Sequence, residues 1–159
     1  MKTSSLSELK KELIHLSPKE LADLCVNLAK YKKDNKEYLD FLLFAAHDKE
    51  SYVKEIKEEI ELLFKDIKLQ NNLYYSKKSL RKVLRLITKY GRYLGDKALH
   101  AELLIFFCKT LKHSGIPYHK SQLIVNMYEQ QLKKTNTLIN ALHEDLQLDY
   151  RNELDKLTT

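Results

Sequence analysis

Residues 73–95 read LYYSKKSLRKVLRLITKYGRYLG, and this stretch sets how the rest of the chain is understood. At about 100° per residue, Leu73, Leu80, Val83, Leu84, Ile87 and Leu94 gather on one side of a helix. Lys77, Lys78, Arg81, Lys82, Arg85, Lys89 and Arg92 gather on the other. No proline interrupts the run, and Gly95 stands where a left-handed helix terminator belongs. The reading is an amphipathic helix from about Leu73 to Leu94. Its apolar side needs other elements to cover it.

Outward from this helix, the same signals recur. On the C-terminal side, Asp96 is placed to cap a helix carrying Ala98, Leu99, Leu103, Leu104, Phe106, Phe107 and Leu111. These residues surround much of its circumference, which marks it as the helix buried on most sides. Gly115-Ile116-Pro117 ends it. From about His119 the helical pattern runs on to about Leu157, weakening over Glu129 to Asn136, with Gln147 as a point of division. On the N-terminal side, Asn71-Asn72 breaks the pattern. Before it, Asp48 can cap a helix in which Val53, Ile56, Ile60, Leu63, Phe64 and Ile67 share one arc. Three pairs fit the capping box, where the N-cap side chain and the one three residues later each accept an orphan backbone N–H. They are Ser5 with Glu8, Ser17 with Glu20, and Asp34 with Glu37. Pro18 follows the second cap and loses no hydrogen bond at a first helical position. The third helix reaches about His47, and its uncharged stretch Phe41 to Ala46 is expected in the core.

Composition points the same way. Three glycines and two prolines in 159 residues make about 3%, against an average near 12%, too few turn formers for a sandwich, barrel or nucleotide-binding sheet. Connections of two to six residues imply antiparallel neighbours. The expected fold is all-α, a single domain over 1–159 with about six to seven antiparallel helices, arranged as an α-α hairpin array or an irregular bundle. It is helical-repeat-like without a regular repeat, since tetratricopeptide and ankyrin signature positions are not filled. With 43% hydrophobic and 31% charged residues the chain is expected to be globular and soluble, and no uncharged run approaches the roughly 20 residues of a membrane span. Glu8 precedes any apolar stretch long enough for a signal peptide, so a cytoplasmic location is expected. Cys25 and Cys108 lie among apolar residues and are expected to be buried thiols, not a disulfide.

The charge distribution carries the functional information. The seven cations between Leu73 and Gly95 have no acidic residue among them, and removing them takes the net charge from +6 to −1. Three of the four arginines are here, and arginine's rigid fork suits phosphate or carboxylate. Tyr74 falls within the cationic face, with Tyr75 and Tyr93 at its border. The functional expectation is a non-catalytic protein that binds an acidic macromolecule, protein or nucleic acid, through Tyr74, Tyr75, Lys77, Lys78, Arg81, Lys82, Arg85, Lys89 and Arg92. For nucleic acid, the cations would neutralise phosphates and the tyrosines stack on bases, with weak sequence selectivity because no helix-turn-helix pattern is present. Two bland readings compete. Glu50, Glu55, Glu58, Glu59, Glu61 and Asp66, or Glu144, Asp145, Asp149, Glu153 and Asp155, would cover the face; or it is an ordinary solvated surface. Docking on an anionic membrane fits less well, because the border residues are tyrosines and the apolar side serves the core. Leu138, Leu142, Leu146 and Leu157 on helix 119–157 would let two copies pair.

Enzyme motifs are thin. Ala98-Leu99-His100-Ala101-Glu102 and Ala141-Leu142-His143-Glu144-Asp145 share a pattern that would place two histidines and two carboxylates together on antiparallel neighbours, giving the competing reading of a helical metal protein or enzyme. No His-Glu-x-x-His occurs, neither Ser-x-x-Lys match has its partner motifs, and the glycines form no phosphate-cradling loop. No catalytic residue, metal ligand or cofactor is therefore assigned. Gly91-x-x-x-Gly95 reads as close packing or a fraying helix end.

Overall fold

The computed structural model describes residues 3–69 and 72–158, with the side chains of residues 68 and 69 left aside. Eight α-helices appear among them, with no strand. The chain divides into two compact units, Met1–His47 and Asp48–Thr159.

The first unit holds α1 (Leu6–Ile14), α2 (Pro18–Tyr31) and α3 (Lys33–Asp40), then a π turn at Phe41–Ala45. Both serine capping boxes form: Ser5 Oγ accepts from Glu8 N–H and Ser17 Oγ from Glu20 N–H, each at 3.3 Å, while the glutamates accept from the serine N–H groups. The third box does not form. Lys32, in an extended conformation, takes the N-cap position of α3 without a side-chain bond, and Asp34 sits inside the first turn, where its charge still complements the helix dipole. Asn35 Nδ2 donates to Leu28 O at 2.8 Å and ties α3 to the end of α2.

Two expectations for this unit are overturned. Only Phe41 of the stretch Phe41 to Ala46 is buried, stacked on Tyr38 at 6.3 Å between ring centroids; Leu42, Leu43 and Phe44 are exposed. The bond from Ala46 N–H to Phe41 O spans five residues, so the side chains within this wider π turn leave the α-helical register. Cys25 is exposed as well, on a helix none of whose residues is buried.

In the second unit, α4 (Lys49–Leu69), α5 (Leu73–Leu94), α7 (Gln122–Ile139) and α8 (Glu144–Thr158) are arranged around α6 (Lys97–His113). Seven residues of α6 are buried, Ala101, Leu103, Leu104, Ile105, Phe107, Cys108 and Leu111. Each large apolar side chain among them contributes about 1.5–3 kcal/mol relative to exposure. Asp96 caps this helix by accepting from Ala98 and Leu99 N–H, and Asp48 caps α4 by accepting from Ser51 N–H. At the N-terminus of α5 the cap is Asn72, which accepts from Tyr74 N–H at 2.9 Å; Asn71 lies outside the described residues. Gly95 adopts the left-handed conformation at φ 60°, and Lys49 Nζ donates to Leu94 O at 2.7 Å, placing a cation on the negative end of the α5 dipole. Gly91 serves close packing: a Cβ there would lie 2.7 Å from the His100 ring, so α5 and α6 approach only because that carbon is missing.

The expected helix over 119–157 is broken, which raises the count from six or seven to eight. A 3-10 turn, Tyr118–Lys120, precedes α7, and the chain turns back at Asn140 to His143. Arg151 Nη2 donates to Asn140 Oδ1 at 3.0 Å and to Gln147 Oε1 at 2.8 Å, bracing the turn. A straight helix over that span would run about 58 Å, far past the end of α6, and leave its last leucines in water. Folding back instead places Leu154 with Ala101 and Ile139 in one cluster, and Tyr128 OH donates to Leu157 O at 3.0 Å. Of the four leucines of the anticipated pairing stripe, Leu138 lies on α7, Leu142 in the turn, and Leu146 and Leu157 on α8, where Leu157 is buried and Leu146 exposed.

Candidate functional site

Helix α5 presents its two faces as its sequence requires. Leu80, Val83, Ile87 and Leu94 are buried, while Lys78, Arg81, Lys82, Arg85 and Arg92 are exposed. Among the described residues, none of these five makes an ion pair or a side-chain hydrogen bond. Like charges spaced three and four residues apart on one helix repel each other. The cost is tolerated because the apolar side of α5 is anchored in the core.

The other two cations are held differently. Lys77 Nζ lies 5.9 Å from the centroid of Tyr74, and Lys89 Nζ lies 4.9 Å from that of Tyr90. Both lysines are half-buried. Tyr74 and Tyr75 stand exposed at the N-terminal end of the face, edge to face at 5.6 Å. Tyr93, expected at the border, instead joins Tyr90 and Tyr52 in a chain of edge-on rings at 5.9 and 5.7 Å. The assembled part of the face is thus a row of five unpaired cations with a tyrosine pair at one end.

The acidic groups that would cover this row are engaged elsewhere or point to water. Glu59 of α4 accepts from Tyr90 OH at 3.3 Å, while Glu50, Glu55, Glu58, Glu61 and Asp66 are exposed. Near the C-terminus, Glu153 pairs with Lys109 at 2.7 Å and Asp145 with His143 at 3.2 Å. Three of the four residues of the metal or enzyme reading are likewise held in other interactions. Glu102 pairs with Lys57 of α4, and His143 and Asp145 pair with each other on the surface. Among the described residues, no three His, Cys, Asp or Glu side chains are grouped to hold a metal ion. Cys108 is buried, and burial pushes its thiol up to about 12, so the reactive thiolate is scarce near neutral pH.

Lys134, which the sequence reading did not single out, and His100, read there only as a candidate ligand, interact electrostatically with the end of this surface. Lys134 of α7 is held below its ordinary lysine range by partial burial and then by the charge of Arg92. His100 is lowered by burial and then by the charge of Lys134, and its Nε2 is buried with no hydrogen-bond partner among the described residues. The tertiary fold therefore brings Lys134 of α7 within electrostatic reach of Arg92 at the end of α5. Nothing in the α7 sequence alone signals this, because the proximity depends on how α7 packs.

A pH dependence follows. Because the folded-state pKa of His100 lies below its ordinary 6.5, the unfolded chain binds that proton more readily. The contribution of neutral His100 is fully present above about pH 6.5 and is lost as pH falls through that value toward the lower folded pKa. Chemical denaturation at about pH 7 and pH 5 is expected to show reduced stability at the lower pH, with a smaller reduction in His100→Phe, which keeps a ring over Gly91 but cannot titrate. An unchanged pH dependence in that variant would assign the effect to other groups.

No protein-family model, curated protein or solved structure matches the chain.

Proposed function

We propose that this chain is a non-catalytic binding protein that holds a polyanionic macromolecule on the open face of α5. The observation that carries the reading is the exposed row of Lys78, Arg81, Lys82, Arg85 and Arg92, which has no carboxylate against it. From Lys77 to Arg92 the cations extend over about 22 Å of helix. A linear array of that length suits a partner whose negative charge is also linear.

Among polyanions, the nucleic-acid backbone fits best. Arginine forks bind phosphate in two-pronged fashion, and the exposed Tyr74–Tyr75 pair offers rings on which unpaired bases can stack. Binding would be salt-sensitive and weakly selective for sequence, as expected when phosphates rather than base edges are read.

The test is fluorescence anisotropy of labelled single- and double-stranded DNA and RNA, titrated at salt concentrations from about 50 to 200 mM. With the five exposed cations engaged on a duplex, log affinity is expected to fall against log salt with a slope of about −4.5, since each neutralised phosphate contributes about −0.9. Single strands should give a shallower slope, because each phosphate then contributes only about −0.7. Failure to bind any of these probes at the lowest salt would remove the nucleic-acid reading and direct the search to acidic proteins.

A further inference from the structure

A second surface lies on the first unit and is independent of the cationic face. The residues of α1 are exposed throughout, including Leu6 at 85% and Ile14 at 70%, although the helix is well capped. An isolated helix of nine residues is marginal in water, so its order calls for something against its apolar side. Beside it, α2 carries an open groove of about 520 Å³ lined by Leu16, Leu24, Leu28 and Tyr31, with Glu20 and Asp23 on its wall. The chain's own α1 leaves this groove uncovered.

The two features match in shape and charge. Leu6, Leu9, Leu13 and Ile14 recur at the spacing of a helix laid into an apolar groove. Lys10 falls within that apolar arc, between Leu13 and Ile14 at about 100° per residue. A cation in the middle of an apolar face is costly to cover unless a carboxylate meets it. Asp23 in the α2 groove has no ion pair or hydrogen bond among the described residues and can meet it.

We propose that α1 of one copy of this chain lies in the α2 groove of a second copy, and the second copy's α1 in the groove of the first, forming a two-fold dimer. Ridge and groove are both on the first 47 residues, so one symmetric pairing covers both twice, as an isologous interface requires. Leu6, Leu9, Leu13 and Ile14 of the ridge and Leu24, Leu28 and Tyr31 of the groove are all exposed, an apolar surface of the kind that marks an interface.

Sedimentation velocity of the full chain, from micromolar upward and at high salt to suppress polyanion binding, tests this pairing. A dimer is expected that Leu13→Asp weakens by at least about tenfold, a change of about 1.4 kcal/mol. Lys10→Glu and Asp23→Lys should each weaken it, and the double exchange should recover most of the loss because the pair is restored with its signs swapped. Circular dichroism confirms that the variants remain helical. A monomer at every concentration, a dimer indifferent to Leu13→Asp, or a double exchange no better than its parents would each overturn the proposal.

Discussion

Replacing Arg81 and Arg85 together with glutamate is expected to reduce nucleic-acid affinity by about a hundredfold or more. Each arginine is exposed and unpaired among the described residues, so each is available for a charge-assisted contact of about 1.5–3 kcal/mol. Losing two such contacts amounts to two or more factors of ten. The salt dependence should also become shallower by about two units of slope, one per lost phosphate contact. Stability should hardly change, because surface substitutions away from packed features stay within about 0.5 kcal/mol. Anisotropy and thermal unfolding of the same samples separate the two effects. Weak binding with an unchanged melting profile supports a binding surface. Unchanged affinity would mean that the row of cations does not carry the binding.

Truncating Phe107 to alanine should act in the opposite way, costing about 3–5 kcal/mol of stability without touching the cationic face. Phe107 is fully buried in α6, and its ring meets that of Phe64 on α4 at 5.7 Å between centroids. Removing it forfeits the transfer free energy of the ring and leaves a cavity between the two helices. The Lys57–Glu102 pair joins the same helices but is already present and partly open to water, so it does not compensate for the lost ring. Phe44→Ala is the useful contrast. Its ring is 69% exposed, so a loss below about 0.5 kcal/mol is expected in urea denaturation. A comparable loss from both substitutions would contradict the assignment of α6 as the centre of the core.

The difference between these two phenylalanines shows where local reasoning reaches its limit. Both lie in apolar stretches of helical sequence, and both were expected inside. Phe107 lies on a helix that α4, α5, α7 and α8 all touch, whereas Phe44 lies within a π turn that takes it out of the α-helical register. Cys25 and Cys108 divide in the same manner, exposed and buried, though their sequence surroundings are equally apolar.

Determined by the sequence alone were the all-helical class, the capped starts at Ser5, Ser17, Asp48 and Asp96, the stop at Gly95, and the two faces of α5. These depend on interactions within about one turn of helix, between a cap and the N–H two or three residues on, or among side chains three and four apart. The exposure of Leu42 to Phe44 and the hold of Tyr74 on Lys77 and of Tyr90 on Lys89 are local, within one π turn or one helix, but no cap or periodicity signal in the sequence marks them. Tertiary structure decided the break after Ile139 and the approach of Lys134 of α7 to Arg92, both of which depend on which helix lies against which. Burial against a distant helix outweighs a few tenths of a kcal/mol of local preference, so it can bend, break or turn an element that its own residues would have continued.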